Sequence, residues 1–259
     1  MHDELGDRMK GYEAESRLVL PSRGFMIIRA DGRAFHSYTR GLPRPFDTRL
    51  MADMDAAALA LAAEVGGAVL GYVQSDEISI IATDLTNANS QWWFGGSVAK
   101  VSSVAASVVT AAFAKARADL DGPPAHFDAR VFFVDSPMEA HNYLVWRQAD
   151  ARRNAITMLA EHHIGKKPLH GVGTAERYAR LLDVGVDPEE NPAFIGGRLL
   201  FKETYTGPVS YVHKRTGETM TAEDVTRSQW LAIPAPRFTE NRVLFAELDR
   251  MGVPTPYGV

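Results

Sequence analysis

Acidic residues stand at the ends of two apolar segments of the chain, where their carboxylates could bind divalent cations. Asp31 directly follows the strand-like segment 25–30, which is apolar except for Arg29. Asp76 and Glu77 lie between two further apolar runs within residues 68–81, and two strands joined by a short polar turn form a hairpin. If that hairpin pairs beside the first strand, the acids converge into the carboxylate cluster that hard divalent cations need. Two-metal phosphoryl transfer is the chemistry most often built in this way.

The three acids are not equivalent candidates for catalysis. Asp76 and Glu77 are adjacent, and neighbouring side chains in a strand point to opposite faces. We therefore expect Asp31 and Asp76 to be the direct metal ligands and Glu77 to have a supporting role beside them. Gly32 would let its own backbone carbonyl approach the metal. The alternative for Asp31 is an ordinary Asp-Gly turn at the end of a strand.

The segment that follows Asp31 could bind a triphosphate through consecutive backbone N–H groups. A row of such groups beside cationic side chains is a common anion-binding arrangement. His36 has an alternative role as the first residue of a helix, and Lys100 could reach a phosphate from one turn inside a later helix. The segment consists of Gly32, Arg33, Ala34, Phe35 and His36.

The composition excludes several classes of protein and of site. No cysteine occurs among the 259 residues, which excludes disulfides, thiolate zinc sites and cysteine nucleophiles. The N-terminal segment is acidic, unlike a signal or transit peptide, and no apolar run approaches the roughly 20 residues that span a bilayer. We therefore expect a cytoplasmic protein without a membrane partner.

The charge distribution limits how the protein could bind RNA. The net charge of −4 argues against nonspecific coating of a nucleic acid, so an RNA partner would need a local basic face. Residues 147–167 provide one candidate, with five lysine or arginine residues against two acids. On charge alone, an ordinary solvated helix face explains this segment equally well.

Helix and strand patterns alternate along the chain. Asp47 is the expected N-cap of a helix that continues through Glu64, and Ser136 opens a capping box with proline at the first helical position. We predict a helix through residue 12, strands at 24–30 and 127–134, hairpins at 68–82 and 209–221, further helices at 48–64, 93–118, 137–161, 174–182 and 239–251, and an irregular segment at 183–208.

This order of elements predicts an α+β fold. We expect a polymerase- or cyclase-like palm, in which helices pack on one side of an antiparallel sheet. Residues 1–135 would form the palm catalytic core. Residues 136–259 would form a helical and hairpin extension packed on the palm within the same compact unit.

Several motifs occur in a specific order within about residues 24–205. They are Arg29-Ala30-Asp31-Gly32-Arg33-Ala34-Phe35-His36, Pro45-Phe46-Asp47, Gly71-Tyr72-Val73-Gln74-Ser75-Asp76-Glu77-Ile78-Ser79, Phe127-Asp128-Ala129-Arg130-Val131 and Tyr143-Leu144-Val145-Trp146-Arg147-Gln148-Ala149-Asp150. In this order and spacing they resemble the tRNA-His guanylyltransferase family. The resemblance implies a polymerase-like palm that adds nucleotides to the 5′ end of tRNA. It also implies two Mg²⁺ ions, GTP and ATP as substrates, and a homotetramer.

The resemblance also implies roles for individual residues. Asp31 and Asp76 match the metal-binding aspartates, with Glu77 beside them and Gly32 contributing a carbonyl. Asp47 falls where the family contacts the base. The triphosphate-binding region comprises Arg33, Ala34, Phe35, His36, Ser75 and Lys100. The candidates for a second triphosphate are Arg29, Arg44 and Arg130.

One segment departs from the eukaryotic pattern. Eukaryotic enzymes that add an untemplated G have a HINNLYN-like sequence after the WRQAD segment, whereas residues 151–157 here retain only Asn154 of it. This is similar to the bacterial, archaeal and phage branch of the family, which is associated with templated repair of tRNA 5′ ends. The resulting candidates for RNA contact are Arg147, Arg152, Arg153 and Asn154.

Two other functions remain open at this point. A palm-type nucleotide cyclase could use the same acids on GTP or ATP without any RNA. A non-catalytic protein could instead bind RNA through the face formed by residues 147–167.

Overall fold

The computed structural model describes residues 4–255. Six strands form one antiparallel sheet in the order β4-β1-β3-β2-β5-β6, which confirms the predicted α+β fold class. The strands are β1 (Phe25–Gly32), β2 (Ala68–Gln74), β3 (Glu77–Thr83), β4 (Phe127–Val134), β5 (Arg198–Val212) and β6 (Thr219–Pro234). The helices are α1 (Glu4–Glu15), α2 (Phe35–Tyr38), α3 (Thr48–Glu64), α4 (Val98–Ala116), α5 (Pro137–His163), α6 (Thr174–Asp183), α7 (Pro192–Ile195) and α8 (Val243–Arg250).

Helices cover both faces of the sheet. On β1, Met26 and Ile28 pack into a core with α3 and α4, while the alternate residues Phe25 and Ile27 pack into a second core with α5 and α8. The expectation of helices on one side was therefore wrong. The physical reason is that β1 and β3 are apolar at successive positions, and a strand that is apolar on both faces must be covered on both.

The capping residues fix where two long helices begin. The Asp47 side chain accepts hydrogen bonds from the N–H groups of Arg49 and Leu50, at 2.8 and 3.1 Å, and α3 begins at the next residue. The Ser136 hydroxyl accepts from the N–H of Glu139 at the start of α5. Both predicted N-caps are confirmed, because each side chain satisfies a donor that has no partner in the first turn.

The second hairpin is much longer than its sequence pattern indicates. Residues 198–208 were expected to be irregular, but they belong to β5, which pairs with β2 through Gly71 and Leu200 and with β6 over its whole length. That expectation was wrong because most of this ribbon is exposed and lacks an apolar alternation. The division at residue 135 remains a prediction, and β5 and β6 extend the sheet built by the first half of the chain.

Helix α4 is long and apolar enough to cross a membrane when judged by length and composition alone, so the expectation that no segment approached this length was wrong. In the fold, the stripe formed by Val101, Ala105, Val109 and Phe113 is buried against the sheet and α3. The helix begins at Val98 instead of near residue 93, because residues 93–96 form a short 3-10 turn with Phe94 in a left-handed conformation.

Candidate functional site

Strand pairing brings Asp31 and Asp76 together. Asp31 lies opposite Glu77 in the β1–β3 register, and the N–H of Gly32 donates to the carbonyl oxygen of Asp76 at 3.1 Å. Ser75 and Asp76 form the two-residue turn between β2 and β3, with Ser75 at a φ of +48°. The predicted hairpin and its position beside the first strand are confirmed.

The two aspartates share a negative environment. Burial raises the pKa of Asp31 above its ordinary value, and the charges of Glu77 and Asp128 raise it further. Burial also raises the pKa of Asp76, and the charge of Asp31 adds to this effect. Since each carboxylate is costly to ionise in this setting, a bound cation would relieve their repulsion.

The donor set fits a hard divalent cation. Within residues 4–255, neither Asp31 nor Asp76 takes part in an ion pair, and no three His, Asp or Glu side chains meet closely enough to hold a metal by themselves. The ligands available for a metal ion are therefore the carboxylates of Asp31 and Asp76 and the backbone oxygens next to them. Mg²⁺ is commonly bound by one or two carboxylates, with water and substrate phosphates completing its octahedral shell.

Glu77 is buried and held by an arginine. Arg147 donates from Nε to Oε1 of Glu77 at 2.8 Å and from Nη2 to Oε2 at 2.6 Å, and it also contacts Asp150 at 3.1 Å. This arrangement agrees with a supporting role for Glu77. The RNA contact expected of Arg147 remains a prediction; in this structure its side chain is buried and bonded to these two carboxylates.

The segment after Asp31 presents free backbone donors. Ala34 has a left-handed conformation, with a φ of 54° and a ψ of 36°. The N–H of Arg33 donates to the carbonyl of His126, whereas the N–H groups of Ala34, Phe35 and His36 have no acceptor in the part of the chain that the structure describes. Successive N–H groups around a left-handed residue form an anion-binding nest.

The Phe35 side chain anchors this nest. Its ring is buried and packs against Phe113 and Phe127, with centroids 5.8 and 5.2 Å away. A Cβ atom on Gly32 would lie 2.2 Å from the Phe35 ring, so only glycine permits this approach. The His36 side chain is exposed beside Ser37.

A cleft opens next to the hairpin turn. Asp47, Ser75 and Asn154 line it, as three of the predicted nucleotide or RNA contacts. Two further features of the cleft were not predicted from the sequence, namely the Phe46–Phe194 ring pair, whose centroids are 4.7 Å apart, and Arg198. Aromatic rings with a few polar groups beside them are typical of a site for a small ligand such as a base.

The basic side chains expected to bind triphosphates lie in three separate places. Arg29 and Arg130 face each other across β1 and β4, next to Asp31 and Asp128. Arg44 lines a separate depression with His162 and Lys166. The structure does not bring Lys100 to Asp31, because Lys100 lies near Phe94 at the opposite end of the sheet, on the order of 20 Å away along β1.

The other predicted RNA contacts are largely paired with acids. Arg152 is bonded to Glu189, and Arg153 donates to Asp150 at 2.7 Å. Four of the five basic residues at 147–167 are therefore paired with acids, Lys166 with Glu161 at 3.4 Å among them, and the basic face remains a prediction. Asn154 lies at the edge of the cleft, 3.5 Å from Asp150.

Known proteins share both the sequence and the arrangement of these elements. A family model described as tRNAHis guanylyltransferase matches residues 6–135. A bacterial tRNA(His) guanylyltransferase (Thg1)-like protein, solved in complex with ATP, is 32% identical over 94% of this chain and 97% of that chain, with a TM-score of 0.80. A structure with the same description in complex with GTP is 32% identical over 95% of this chain and 98% of that chain, with a TM-score of 0.77.

The similarity to curated sequences is more partial. A probable tRNA(His) guanylyltransferase of Drosophila melanogaster is 32% identical over 154 residues, which are 57% of this chain and 51% of that relative. The chain spans about half to two thirds of the length of the curated relatives that it matches. The family match over residues 6–135, with the full-length structural similarity, shows that this chain belongs to the tRNAHis guanylyltransferase family and has its palm-like fold.

Proposed function

We propose that this protein is a magnesium-dependent nucleotidyltransferase that adds nucleotides to the 5′ end of tRNA. The meeting of Asp31 with Asp76, beside the nest of free N–H groups, is the observation that supports it most directly. The similar bacterial structures in complex with ATP and GTP support nucleoside triphosphates as substrates.

The proposed step forms one bond and breaks one. The 3′-hydroxyl oxygen of the incoming nucleotide attacks the 5′ phosphorus of the RNA, and its proton passes to solvent. Pyrophosphate leaves when the RNA ends in a 5′ triphosphate. When the RNA ends in a monophosphate, ATP first adenylylates it with release of pyrophosphate, and AMP is the leaving group in the addition step.

Each part of the site has a role in this step. Asp31, Asp76 and the Gly32 carbonyl would hold two Mg²⁺ ions, which lower the pKa of a bound hydroxyl and neutralise phosphate charge. The nest of residues 34–36 would bind the triphosphate of the incoming nucleotide, and the cleft would bind its base. Arg29 and Arg130, which are paired across β1 and β4, would bind a second triphosphate, on the RNA or on ATP.

The first test removes the metal-binding carboxylates. Asp31→Ala and Asp76→Ala should each lower the rate of nucleotide addition by on the order of a thousandfold, with an unchanged circular dichroism spectrum. Asp135→Ala is the matched control, because Asp135 is an exposed aspartate just past the far end of β4. Near-wild-type turnover by Asp31→Ala in Mg²⁺ would contradict the proposed function.

The second test identifies the substrate. A tRNA lacking its 5′ nucleotide and a full-length tRNA-His are each incubated with one of the four nucleoside triphosphates. Addition only of the base complementary to the opposite strand indicates templated repair, whereas addition of G to intact tRNA-His indicates guanylyltransferase activity. Cyclic products from GTP alone would favour the cyclase, and RNA binding without any product would favour a non-catalytic protein.

We also propose, from the family resemblance, that the protein is a cytoplasmic homotetramer. Sedimentation velocity would test the tetramer, since a monomer would sediment at a mass of 28.4 kDa. Cell fractionation with an antibody against the protein would test the location.

A further inference from the structure

Trp146 is a large aromatic side chain that stays half exposed beside the candidate active site. Its relative exposure is 52%, although it lies on α5 between Tyr143 and Arg147, which are both buried. We infer that Trp146 is the platform on which the terminal base of the RNA 5′ end stacks, an inference that rests on the proposed function. Neither the sequence motifs nor the proposed mechanism assigns a role to this side chain.

The neighbours of Trp146 place it over the strands that carry the aspartates. The Tyr143 hydroxyl lies 2.6 Å from the Ser79 hydroxyl, and Arg147 binds Glu77, so α5 crosses the face of β3 next to Asp76. The guanidinium of Arg29 lies 6.0 Å from the Trp146 ring centroid. Arg29 precedes Asp31 by two residues, which is roughly 7 Å along a strand. Trp146 therefore lies over the end of the sheet that carries Arg29 and Glu77, next to the metal-binding carboxylates.

The ring is held in one orientation. The Arg147 guanidinium lies 4.5 Å from the ring centroid, and the Tyr143 ring contacts it edge-on with centroids 5.9 Å apart. Arg147 is itself fixed by its bonds to Glu77 and Asp150. Arg147 and Arg29 both lie over the ring, and about half of the Trp146 surface remains open to a base. A rigid aromatic loses little conformational entropy when a base stacks on it.

The charges around Trp146 fit a nucleic acid end. Arg29, 4.0 Å from Glu77, and the exposed Arg130, 3.8 Å from Asp128, lie side by side on β1 and β4, where their guanidinium groups would attract phosphates next to the ring. Aromatic rings beside cationic side chains are the usual platform for unpaired or terminal bases. Stacking of this kind tolerates every base, so Trp146 would hold the RNA end without selecting its sequence.

The sheet order separates this platform from the nucleotide cleft. The cleft is lined by Gln74 and Ser75 at the end of β2, whereas Trp146 lies near Arg29 of β1. Strand β3, with Glu77 at its start, lies between β1 and β2. The incoming nucleotide and the RNA end would therefore approach the two aspartates from opposite sides, as a transfer between them requires.

The test uses RNA with 2-aminopurine as its 5′-terminal base, whose fluorescence is quenched when the base stacks. Trp146→Ala and Trp146→Leu should abolish the quenching and weaken RNA binding by about five- to 150-fold, while Trp146→Phe retains most of both. The KM for the nucleoside triphosphate should not change. Phe94→Ala is the matched control, because Phe94 is also a part-exposed ring with a cation, Lys100, 4.8 Å from its centroid, at the other end of the sheet.

Three results would overturn the inference. They are full quenching by Trp146→Ala, equal behaviour of the leucine and phenylalanine variants, and quenching of free 2-aminopurine riboside triphosphate but not of the labelled RNA. Thermal unfolding of each variant separates loss of stacking from loss of fold. If wild-type protein quenches the RNA but adds no nucleotide, the proposed function fails and the stacking site stands.

Discussion

Arg147 and Glu77 form a buried, two-pronged ion pair directly beside Asp76, with donor–acceptor distances of 2.8 and 2.6 Å. The pair joins α5 to β3 behind the candidate metal site. It neutralises Glu77, so that of the three acids Asp31, Asp76 and Glu77 only the two aspartates have no ion-pair partner within residues 4–255. Glu77 thus supports the site while remaining out of reach of solvent.

Arg147→Met should destabilise the protein by about 3–5 kcal/mol, because it leaves the Glu77 carboxylate buried and unpaired. Urea unfolding at pH 7 measures the change in the free energy of unfolding. Arg153→Met is the control, since its pair with Asp150 is half exposed and should contribute less than about 1 kcal/mol. A double variant, Arg147→Met with Glu77→Leu, should regain much of the loss. Equal effects of the two single arginine variants would contradict this prediction.

Asp31→Asn should make the protein more stable at pH 7 while it abolishes nucleotide addition. The pKa of Asp31 is raised in the folded state, so folding binds protons and wild-type stability falls as pH rises above about 3.8, the ordinary value. The amide removes this penalty, and the gain should vanish at pH 3. Thermal unfolding of the wild type and of Asp31→Asn at several pH values tests the direction of this change in stability. Added Mg²⁺ should raise the Tm of the wild type and not that of the variant. A variant less stable than wild type at pH 7 would refute the prediction.

Gly32→Ala should cost about 1–3 kcal/mol of stability, because the new methyl group would clash with the Phe35 ring. The same displacement should disturb the nest at residues 34–36 and raise the KM for the nucleoside triphosphate. Phe35→Leu in the same chain should restore part of the stability by making room. Gly207→Ala is the control, because a methyl group on that strand glycine would meet no neighbouring atom within 4 Å. Equal losses of stability in the two alanine variants would contradict the proposed clash.

His141 should make the stability of the protein depend on pH below about 6.5. Burial lowers its pKa below the ordinary 6.5, with a smaller effect from Arg242. Protonation is therefore easier in the unfolded chain, and stability should fall by up to about 1.4 kcal/mol per pH unit as pH drops below 6.5. His141→Phe should flatten this dependence, and His163→Asn, an exposed histidine, should not. If the stability of the wild type and that of His141→Phe changed equally with pH, the role of His141 would be ruled out.

Local chemistry in the sequence predicted much of the fold. The start of α3 after Asp47, the turn at Ser75 and Asp76, and the strand that ends near Asp31 each follow from residues within a few positions of one another. Such signals depend on caps and turns, which act over short distances. The meeting of the two aspartates then needed one further assumption, that the hairpin lies beside β1.

The parts that were missed depend on contacts between distant segments. Arg198 reaches the cleft because β5 pairs with β2, more than a hundred residues earlier, and Phe194 lies on α7 just before β5. Arg147 lies in a charged segment whose pattern is typical of an exposed helix face, and its partner Glu77 is 70 residues away in the sequence. Lys100 is placed by the direction in which α4 runs along the sheet, which helical periodicity does not reveal.

Asp47 has two roles, and an alanine substitution would remove both at once. Asp47 lines the proposed nucleotide cleft, and its carboxylate also caps the N-terminus of α3. Asp47→Ala would fray the start of α3 and shift Leu50 and Met51 in the cleft wall. Weaker nucleotide binding by this variant would therefore not show that Asp47 contacts the nucleotide. Asparagine and serine also begin helices well, and they would separate the two duties at this position.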